Sequence, residues 1–519
     1  CQIVPDVLEW IGRGMMDSQE LQERVVAWLA AQEVPAYLVG GCVRDRVLGR
    51  PTYDLDVAVA GDGLRVARHL ANALGGDYYA LDAERSTGRA ILYHDDGRLV
   101  VDVARFRGEP PLALEDDLAG RDFTVNAMAI DVRDPGTIVD QHGGLADLAA
   151  RVLRPVGEDS IRDDPVRALR AARLAAGLGF RLAPETRALM ARDGQAVAQV
   201  SQERVRDELI RLLAAPRATP WLALLDELGL LSAILPELEP LRGLPQSLPH
   251  RIDALAHTLA TVEAMEGIAA QLRWQVAAPD DRGPMPWDKG PLPELQPFAP
   301  RLLAHLDGGG RPRLVLLKMA LLLHDTGKAA TWSQEDGRIR FIDHQSVSAR
   351  LAGEAMRRLR FNRPEVRLVQ TIVRQHMRPP LLAEQSSVSG RAVYRFFRDT
   401  EEAGVDVLLH ALADHAAIYP PGIEDERWPR LVGLVARMLA EFWDRPVRAA
   451  APKPLISGHD LIRELGLEPG PRVGELLEAV REAQADGQVH TREEALALAR
   501  QLLAPAQRGD RKGSPLHSG

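Results

Sequence analysis

The chain has 519 residues, 46% of them hydrophobic, and a net charge of −9. It is long enough to form several domains, and too acidic to coat nucleic acid nonspecifically. Its two cysteines, Cys1 and Cys42, support neither a disulfide framework nor a cysteine zinc site, which favours a reducing cytoplasm. The sequence contains no apolar run of about 18 residues, so we expect a cytoplasmic protein that does not contact membranes.

The N-terminal part of the chain predicts a mixture of helices and strands. Residues 18–32 have helical periodicity, with Ser18 as a candidate cap. A short apolar strand at 37–39 runs into Gly40-Gly41, and a helix is predicted to begin near Val43. Residues 53–59 alternate between polar and apolar side chains, which indicates a strand. A helix is also predicted at 63–74, and further strands near 78–79, 89–93, 99–106 and 127–132.

The remainder of the chain is predicted to be helical. From about residue 157 we expect no further strands, and Ala- and Leu-rich helices run to about 240. Residues 278–299 are rich in Pro, Gly and acidic residues and predict a loop or insertion. Helices return from Leu314 to about 445 and again at 457–503. The predicted fold class is therefore α+β, with a small mixed-sheet head followed by an all-helical body.

Two aspartates on the strand at 53–59 are the first candidate site. Successive side chains of a strand point to opposite faces, so Asp54 and Asp56 share one face. Neighbouring carboxylates repel each other unless a cation lies between them, and Mg²⁺ often joins protein carboxylates to substrate phosphates. The backbone of Gly40-Gly41 and the following turn with Arg44 are suited to phosphate oxygens. The alternative is a glycine turn beside an exposed acidic strand.

Five motifs resemble those of bacterial class II tRNA nucleotidyltransferases and poly(A) polymerases. They occur in that family's order between residues 39 and 209. The motifs are Val39-Gly40-Gly41-Cys42-Val43-Arg44-Asp45 with Asp54-Leu55-Asp56; Asp117-Leu118 with Arg121-Asp122-Phe123-Thr124-Val125-Asn126-Ala127; Asp140 with Gly143-Gly144 and Asp147-Leu148; Asp163-Asp164-Pro165-Val166-Arg167-Ala168-Leu169-Arg170-Ala171-Ala172-Arg173; and Ser201-Gln202-Glu203-Arg204-Val205-Arg206-Asp207-Glu208-Leu209.

The resemblance implies an enzyme that adds C and A from CTP and ATP to the tRNA 3′ end without a nucleic-acid template. In the fourth motif, Asp164 and Arg167 together offer the acceptors and donors needed to select CTP or ATP. Arg170 and Arg173 follow at three-residue intervals and share a helix face with them, where they would stack on the base or contact phosphate. The alternative is a solvated basic helix that begins at an aspartate. Arg121 is implied to contact the nucleotide, whereas Asn126 is expected to stabilise the fold.

Three further residues are assigned less directly. Asp102 lies in another predicted strand and is a candidate for a third metal-binding carboxylate or for the general base on the primer hydroxyl. A structural salt bridge is the alternative for Asp102. Arg204 and Arg206, in the fifth motif, are candidates for contacting RNA phosphates, and a solvated helix surface is the alternative for both.

A shortened connection leaves the nucleotide specificity open. Members of the family that add the complete CCA carry a flexible loop before the second motif, whereas here only residues 108–114 separate Phe106-Arg107 from Glu115. We predict CCA addition, and addition of the two cytidines alone is the nearest alternative. We also consider a poly(A) polymerase and a phosphohydrolase whose head only binds nucleotide.

A second constellation resembles the HD superfamily of metal-dependent phosphohydrolases. His324-Asp325 ends an apolar helix, His257 lies upstream, and Asp414 lies downstream. The resemblance implies that these four side chains hold a divalent metal ion, and that the HD-type domain either hydrolyses phosphoesters or serves as a tRNA-binding scaffold. His344 and His376 occupy positions where some members place further ligands.

These assignments divide the chain into six segments and leave the oligomeric state open. The predicted segments are an N-terminal helical extension (1–33), a nucleotidyltransferase head (34–156), a helical nucleotide-selection and RNA-binding body (157–240), an HD-type domain with the insertion (241–425), a C-terminal helical region (426–506) and a disordered tail (507–519).

Overall fold

The computed structural model describes residues 18–94, 97–108, 112–278, 281–287, 292–419, 425–444 and 454–503. The predicted disordered tail and the first half of the predicted N-terminal extension lie outside these residues, as does the middle of the short connection. The chain divides into two compact units, one formed by residues 1–215 and 223–234 and the other by 216–222 and 235–519. The predicted α+β fold is confirmed.

The first unit begins with the mixed sheet. Its helices and strands are α1 (Ser18–Ala30), β1 (Ala36–Val39), α2 (Gly41–Val47), β2 (Asp54–Val59), α3 (Gly63–Leu74), β3 (Asp77–Asp82), β4 (Thr87–His94), β5 (Gly97–Arg105), α4 (Leu114–Ala119), β6 (Met128–Asp131), β7 (Ile138–Asp140), α5 (Gly144–Ala150), β8 (Val152–Leu153), α6 (Ser160–Asp163), α7 (Val166–Leu178), β9 (Arg181–Leu182), α8 (Pro184–Asp193), α9 (Gln202–Leu213), α10 (Thr219–Glu227) and α11 (Leu230–Ile234). The first four residues of α10 are assigned to the second unit.

Seven of these strands form one sheet in the order β3-β4-β5-β2-β1-β6-β7. The pair β2–β5 is parallel, while the other neighbouring pairs are antiparallel. Alternation along β2 and β5 buries Leu55, Val57, Val101 and Val103 on one face. The polar residues between them therefore lie on the opposite face, and this places the candidate site.

The second unit is mainly helical. It contains α12 (Ala254–Val276), α13 (Ala299–Asp307), α14 (Arg313–Leu323), β10 (Trp332–Glu335), β11 (Arg338–Phe341), α15 (His344–Arg358), α16 (Arg363–Gln375), α17 (Arg378–Ala383), α18 (Gly390–Thr400), α19 (Gly404–Ile418), α20 (Arg427–Trp443), α21 (Gly458–Leu465), α22 (Pro471–Ala485) and α23 (Arg492–Leu503). No helix in the described ranges has the length and apolar character needed to cross a membrane.

Two expectations about the helical part were wrong. Strands do not stop at residue 157, because β9 pairs with β8 and because β10 and β11 form a hairpin. The hairpin is mostly exposed. Its first strand has no apolar alternation, whereas β11 alternates over four residues (Arg338-Ile339-Arg340-Phe341), a short signal that sequence reasoning missed. In addition, the helices after the predicted insertion resume at Ala299, earlier than Leu314, since the end of that segment forms a 3₁₀ turn (Pro293–Phe298) and then α13.

Candidate active site and candidate metal centre

Three aspartates lie together on one face of the sheet. Asp54 and Asp56 are on β2, and the parallel register places Asp56 directly opposite Asp102 of β5. Asp102 also accepts two hydrogen bonds from the Arg89 guanidinium, at 2.7 and 2.8 Å. The sequence suggested either a catalytic carboxylate or a structural salt bridge at Asp102, and the structure shows an ion pair at the edge of a carboxylate cluster.

The cluster has the electrostatics of a cation site. Asp56 keeps contact with solvent at the floor of a cavity, but protein surrounds the rest of its carboxylate. This desolvation, together with the charges of Asp102 and Asp54, raises the pKa of Asp56 to about 6, although Arg121 acts in the opposite direction. A divalent cation would relieve the same repulsion, and an all-oxygen donor set is what Mg²⁺ prefers. The residues present therefore fit a hard divalent metal ion.

The glycine turn brings backbone close to these carboxylates. Gly40 has a φ of 76°, and a Cβ at this position would lie 3.0 Å from Nη1 of Arg121 and 3.1 Å from Oδ2 of Asp56. A side chain would therefore be both strained and crowded. The helix after the turn begins at Gly41, two residues before the predicted Val43.

Arg44 lies on the cavity wall but is already engaged. Its guanidinium donates to Oδ1 of Asn126 at 2.8 Å and to the carboxylate of Asp45 at 2.9 and 2.8 Å. Asn126 in turn donates to Oδ1 of Asp122 at 3.0 Å, which agrees with a structural role for Asn126. Phosphate binding by Arg44 remains a prediction.

Arg121 lies beside the carboxylates and is held by a partner that sequence reasoning missed. Asp117, one turn earlier, accepts from Nε and Nη2 of Arg121 at 3.0 and 2.8 Å. The side chain of Asp117 is almost fully buried. The i, i+4 spacing of the two residues was a usable signal for this pair.

The helix of the fourth motif forms another wall of the cavity. Arg167 donates to the backbone oxygens of Gly120 at 2.8 Å and Arg121 at 3.3 Å. Its Nε lies 3.9 Å from Oδ2 of Asp164, whereas Asp164 accepts a shorter hydrogen bond of 2.6 Å from Arg204. Asp164 and Arg167 are therefore neighbours at the cavity, and Arg204 contacts the same carboxylate.

Arg170 and Arg173 are joined by a buried carboxylate. Glu208 of α9 accepts from Nε of Arg170 at 2.9 Å and from Nε of Arg173 at 2.5 Å. Arg170 also donates to Asp122 at 3.1 Å. Although burial opposes it, the charges of Asp122 and Glu208 raise the pKa of Arg170. Glu208 belonged to the fifth motif, but the sequence did not reveal that it organises the fourth.

Most of the residues described so far line a cavity of about 950 Å³, large enough for a nucleoside triphosphate. Asp54, at the start of β2, is not among the lining residues. Of the predicted nucleotide- and RNA-binding residues, Arg206 does not line it and instead pairs with Asp207 at 2.8 Å. The predicted residues that line the cavity are Gly40, Gly41, Arg44, Asp56, Asp102, Arg121, Asp164, Arg167, Arg170, Arg173 and Arg204.

The second unit contains a buried His/Asp cluster. Its members lie in, or directly after, five helices, and they form two sets whose ligand atoms lie within 4.8 Å of one another. The predicted ligands His257, His324, Asp325 and Asp414 are all present, and the structure adds the two histidines noted downstream. The two sets are His257, His324 and Asp414, and Asp325, His344 and His376.

Three of these histidines are oriented as metal ligands usually are. The Nδ1 atoms of His324, His344 and His376 lie 2.8, 2.9 and 2.7 Å from backbone oxygens. With Nδ1 as donor, each Nε2 lone pair points into the cluster. Nε2 of His344 lies 3.4 Å from Nε2 of His376, and two facing lone pairs repel each other unless a cation or proton lies between them. The donor set therefore fits a divalent metal ion.

Without a bound metal ion, burial and neighbouring charges shift the pKa values of the cluster's histidines in opposite directions. Burial would lower the pKa of His324, but Asp325 and Asp414 raise it to about 10. Burial and the charge of His324 lower the pKa of His376 to about 3. Sequence reasoning missed His410, which is fully buried with its ring 5.0 Å from that of His324, and Lys328, whose Nζ lies 2.6 Å from Asp325.

The mixed sheet with its carboxylate triad and triphosphate-sized cavity defines the first unit as a metal-dependent nucleotidyltransferase. Residues 36–154 match the model of the poly A polymerase head domain. Residues 179–241 match a probable RNA and SrmB-binding site of polymerase A, 255–416 match the HD domain, and 439–499 match a second domain of tRNA nucleotidyltransferases.

Two relatives align along nearly the whole chain. The CC-adding tRNA nucleotidyltransferase of Thermus thermophilus is 34% identical, with 89% of this chain and 92% of the relative covered. The A-adding tRNA nucleotidyltransferase of Deinococcus radiodurans is 36% identical, with 89% of this chain and 94% of the relative covered. The structure of the Thermotoga maritima CCA-adding enzyme complexed with tRNA has a TM-score of 0.57 at 21% identity, covering 97% of this chain and all of that one; this likeness concerns the fold. The chain belongs to the class II CCA-adding tRNA nucleotidyltransferase family, whose chemistry uses a divalent metal ion.

Proposed function

We propose that the chain builds the CCA end of tRNA by transferring CMP and AMP from CTP and ATP to the RNA 3′ hydroxyl. The observation that carries the proposal is the carboxylate cluster, of which Asp56 and Asp102 line the cavity, with the Asp164–Arg167 pair on the cavity wall. The triad meets the reacting phosphate and the pair meets the base, so a single nucleotide would contact both.

We propose Mg²⁺ as the metal, held by Asp54, Asp56 and Asp102. When bound, it would neutralise the triphosphate and lower the pKa of the attacking hydroxyl. The 3′ oxygen bonds to the α-phosphorus, the bond to pyrophosphate breaks, and the hydroxyl proton passes to Asp102 or solvent. Arg121, which Asp117 holds through two hydrogen bonds, would bind a phosphate oxygen, and the absence of a side chain at Gly40 would leave room for the phosphates.

Base selection in this proposal depends on an exchange of partners at Asp164. The carboxylate that now accepts from Arg204 at 2.6 Å would accept from an exocyclic amino group, which both cytosine and adenine carry. Arg167, anchored by the Gly120 and Arg121 backbone oxygens, would donate to a ring nitrogen or carbonyl. Uracil and guanine present a carbonyl where Asp164 needs a donor, so UTP and GTP would be rejected.

A specific observation favours a second candidate, addition of CC alone. The connection between β5 and α4 comprises only residues 106–113, and one of the long-matching relatives is named a CC-adding enzyme. Another relative is named an A-adding enzyme, so addition of A alone is a third possible outcome of the experiment that follows.

The experiment uses three tRNA transcripts, ending at the base before CCA, after the first C and after the second C. Each is incubated with CTP, ATP or both, and the products are sequenced. CCA addition predicts CMP on the first two and AMP on the third. A CC-adding enzyme would leave the third unextended, and long A tracts would indicate a poly(A) polymerase.

We also propose that the His/Asp cluster of the second unit binds a divalent metal ion and hydrolyses phosphoesters. Its supporting observation is the set of inward-facing Nε2 atoms beside a cavity of about 600 Å³, which Lys328, Arg427 and Arg430 also line. Cationic side chains lining the cavity suit a phosphate group. Phosphodiesterase activity that is present in the parent and lost in Asp325→Ala supports this second function; a metal-loaded parent without such activity would leave the cluster a structural or scaffold site.

A further inference from the structure

The half of the sheet formed by β3, β4, β5 and β2 has one covered and one open face. On the covered face α3 packs closely, since a Cβ at Gly88 would lie 2.8 Å from Cβ of Ala67. Ala90, Leu92 and Val101 are buried there. Residues of the opposite parity are half-buried or exposed, and this open face is the one that carries the catalytic aspartates.

Strand register shows which side chains accompany the aspartates. One row across the strands runs from Asp56 through Asp102 and Arg89 to Tyr79. Two residues further along the strands, Val100 pairs with Ile91, and beyond them Arg98 pairs with Tyr93. We call Tyr79, Ile91, Tyr93, Arg98 and Val100 the tyrosine face.

The catalytic row divides the open face into two sides. The nucleotide cavity extends over one side, where Ala58, Thr87 and Ala104 line it. The tyrosine face lies along and beyond the row and does not line this cavity. A nucleotide would occupy the cavity on one side of the row, and the second substrate would lie on the tyrosine face. Their reacting groups would then come together at the aspartates.

We propose that the tyrosine face binds the single-stranded 3′ end of the RNA substrate. This inference rests on the proposed function, which requires an RNA 3′ hydroxyl at the carboxylates. Tyr79 and Tyr93 are 53% and 51% exposed, and exposed aromatic rings stack on bases without regard to sequence. Half-buried Ile91 and Val100 extend the apolar surface, and the exposed Arg98 supplies charge for a phosphate.

The spacing suits RNA of one to three nucleotides. Tyr79 is two strands away from Asp102, about 10 Å at the usual strand separation. Tyr93 is four residues along and one strand across from Asp102, about 14 Å. Its phenol donates to Oδ2 of Asp77 at 2.5 Å, which holds the ring in one orientation. An RNA end that runs across the sheet could therefore stack on each ring in turn.

The test measures steady-state CMP addition to tRNA lacking CCA, and RNA binding without nucleotide, in Tyr79→Ala, Tyr93→Ala and the double variant. We expect KM and Kd for RNA to rise about fivefold or more per ring, because stacking on one aromatic is worth about that factor. KM for CTP and kcat should stay within about twofold. Tyr79→Phe and Tyr93→Phe keep the rings and should bind RNA nearly as the parent does.

Leu145→Ala, an exposed residue of the same unit, is the matched control and should change neither constant. An unchanged Kd for RNA in the double variant would overturn the inference, as would Phe variants that bind as poorly as the Ala variants. Failure of the proposed function would give a different result, because the parent protein would then incorporate no CMP, whether or not it binds RNA.

Discussion

Glu208 provides the most quantitative prediction about α7, the helix proposed to select the nucleotide. Its side chain is 5% exposed and holds Arg170 and Arg173, whose side chains are 27% and 24% exposed. Removing one partner of a buried ion pair costs about 3–5 kcal/mol. Because the two arginines retain some solvent and a glutamine keeps one acceptor, we expect Glu208→Gln to cost about 2 kcal/mol of local stability.

The assay is amide hydrogen exchange of peptides covering α7 and α9, because the chain has two units and a global unfolding curve would mix them. A loss of about 2 kcal/mol corresponds to roughly 30-fold faster exchange. KM for CTP should also rise, since Arg170 and Arg173 lose the group that orients them.

The matched control is Glu227→Gln. Glu227 also pairs with an arginine in the first unit, but the side chains of Arg187 and Glu227 are 51% and 62% exposed. Such surface pairs contribute about 0–1 kcal/mol, so exchange should barely change. Equal acceleration in both variants, or none in Glu208→Gln, would refute the claim that burial makes the Glu208 contacts important.

Three further predictions follow from other contacts. Gly40→Ala should lower kcat at least about tenfold, because the positive φ and the crowding combine at this position. Gly49 also has a positive φ, of 65°, but a Cβ there would have nothing within 4 Å, so Gly49→Ala should lower stability without lowering kcat. Equal losses of kcat in the two variants would argue against crowding as the cause. Burial and the charge of Asp56 raise the pKa of Cys42 to about 11, so in a Cys1→Ser background iodoacetamide at pH 8 should label Cys42 only after unfolding, and fast labelling of folded protein would contradict this. Asp325→Ala should lose the metal ion proposed for the second unit, measured by mass spectrometry, and unchanged metal content would count against the ligand assignment.

The sequence predicted local parts of the site because their signals are local. Alternation over 53–59 placed Asp54 and Asp56 on one strand face, and the structure has β2 at Asp54–Val59. The turn at Gly40-Gly41 was recognised because glycine tolerates positive φ. The His/Asp cluster was not a local signal, since His257 and Asp414 are 157 residues apart; it was predicted from the resemblance to the HD superfamily, and the side chains do converge.

Contacts between distant segments were less predictable. The parallel pairing that sets Asp102 beside Asp56 depends on strand order, which alternation does not encode. The same is true of Glu208, which is 38 residues from Arg170, and of His410, which resembled an ordinary helical histidine. The β10–β11 hairpin was missed because β10 carries no apolar period and the alternation of β11 extends over only four residues.

The central claim is that the first unit performs nucleotidyl transfer on tRNA through its carboxylates. The most direct measurement is incorporation of labelled CMP into tRNA lacking CCA by the parent, Asp54→Asn and Asp325→Ala. We predict incorporation by the parent and by Asp325→Ala, and loss of at least about a thousandfold in Asp54→Asn, as expected when a residue of the catalytic metal site is removed. Undiminished incorporation by Asp54→Asn, or none by the parent, would contradict the claim.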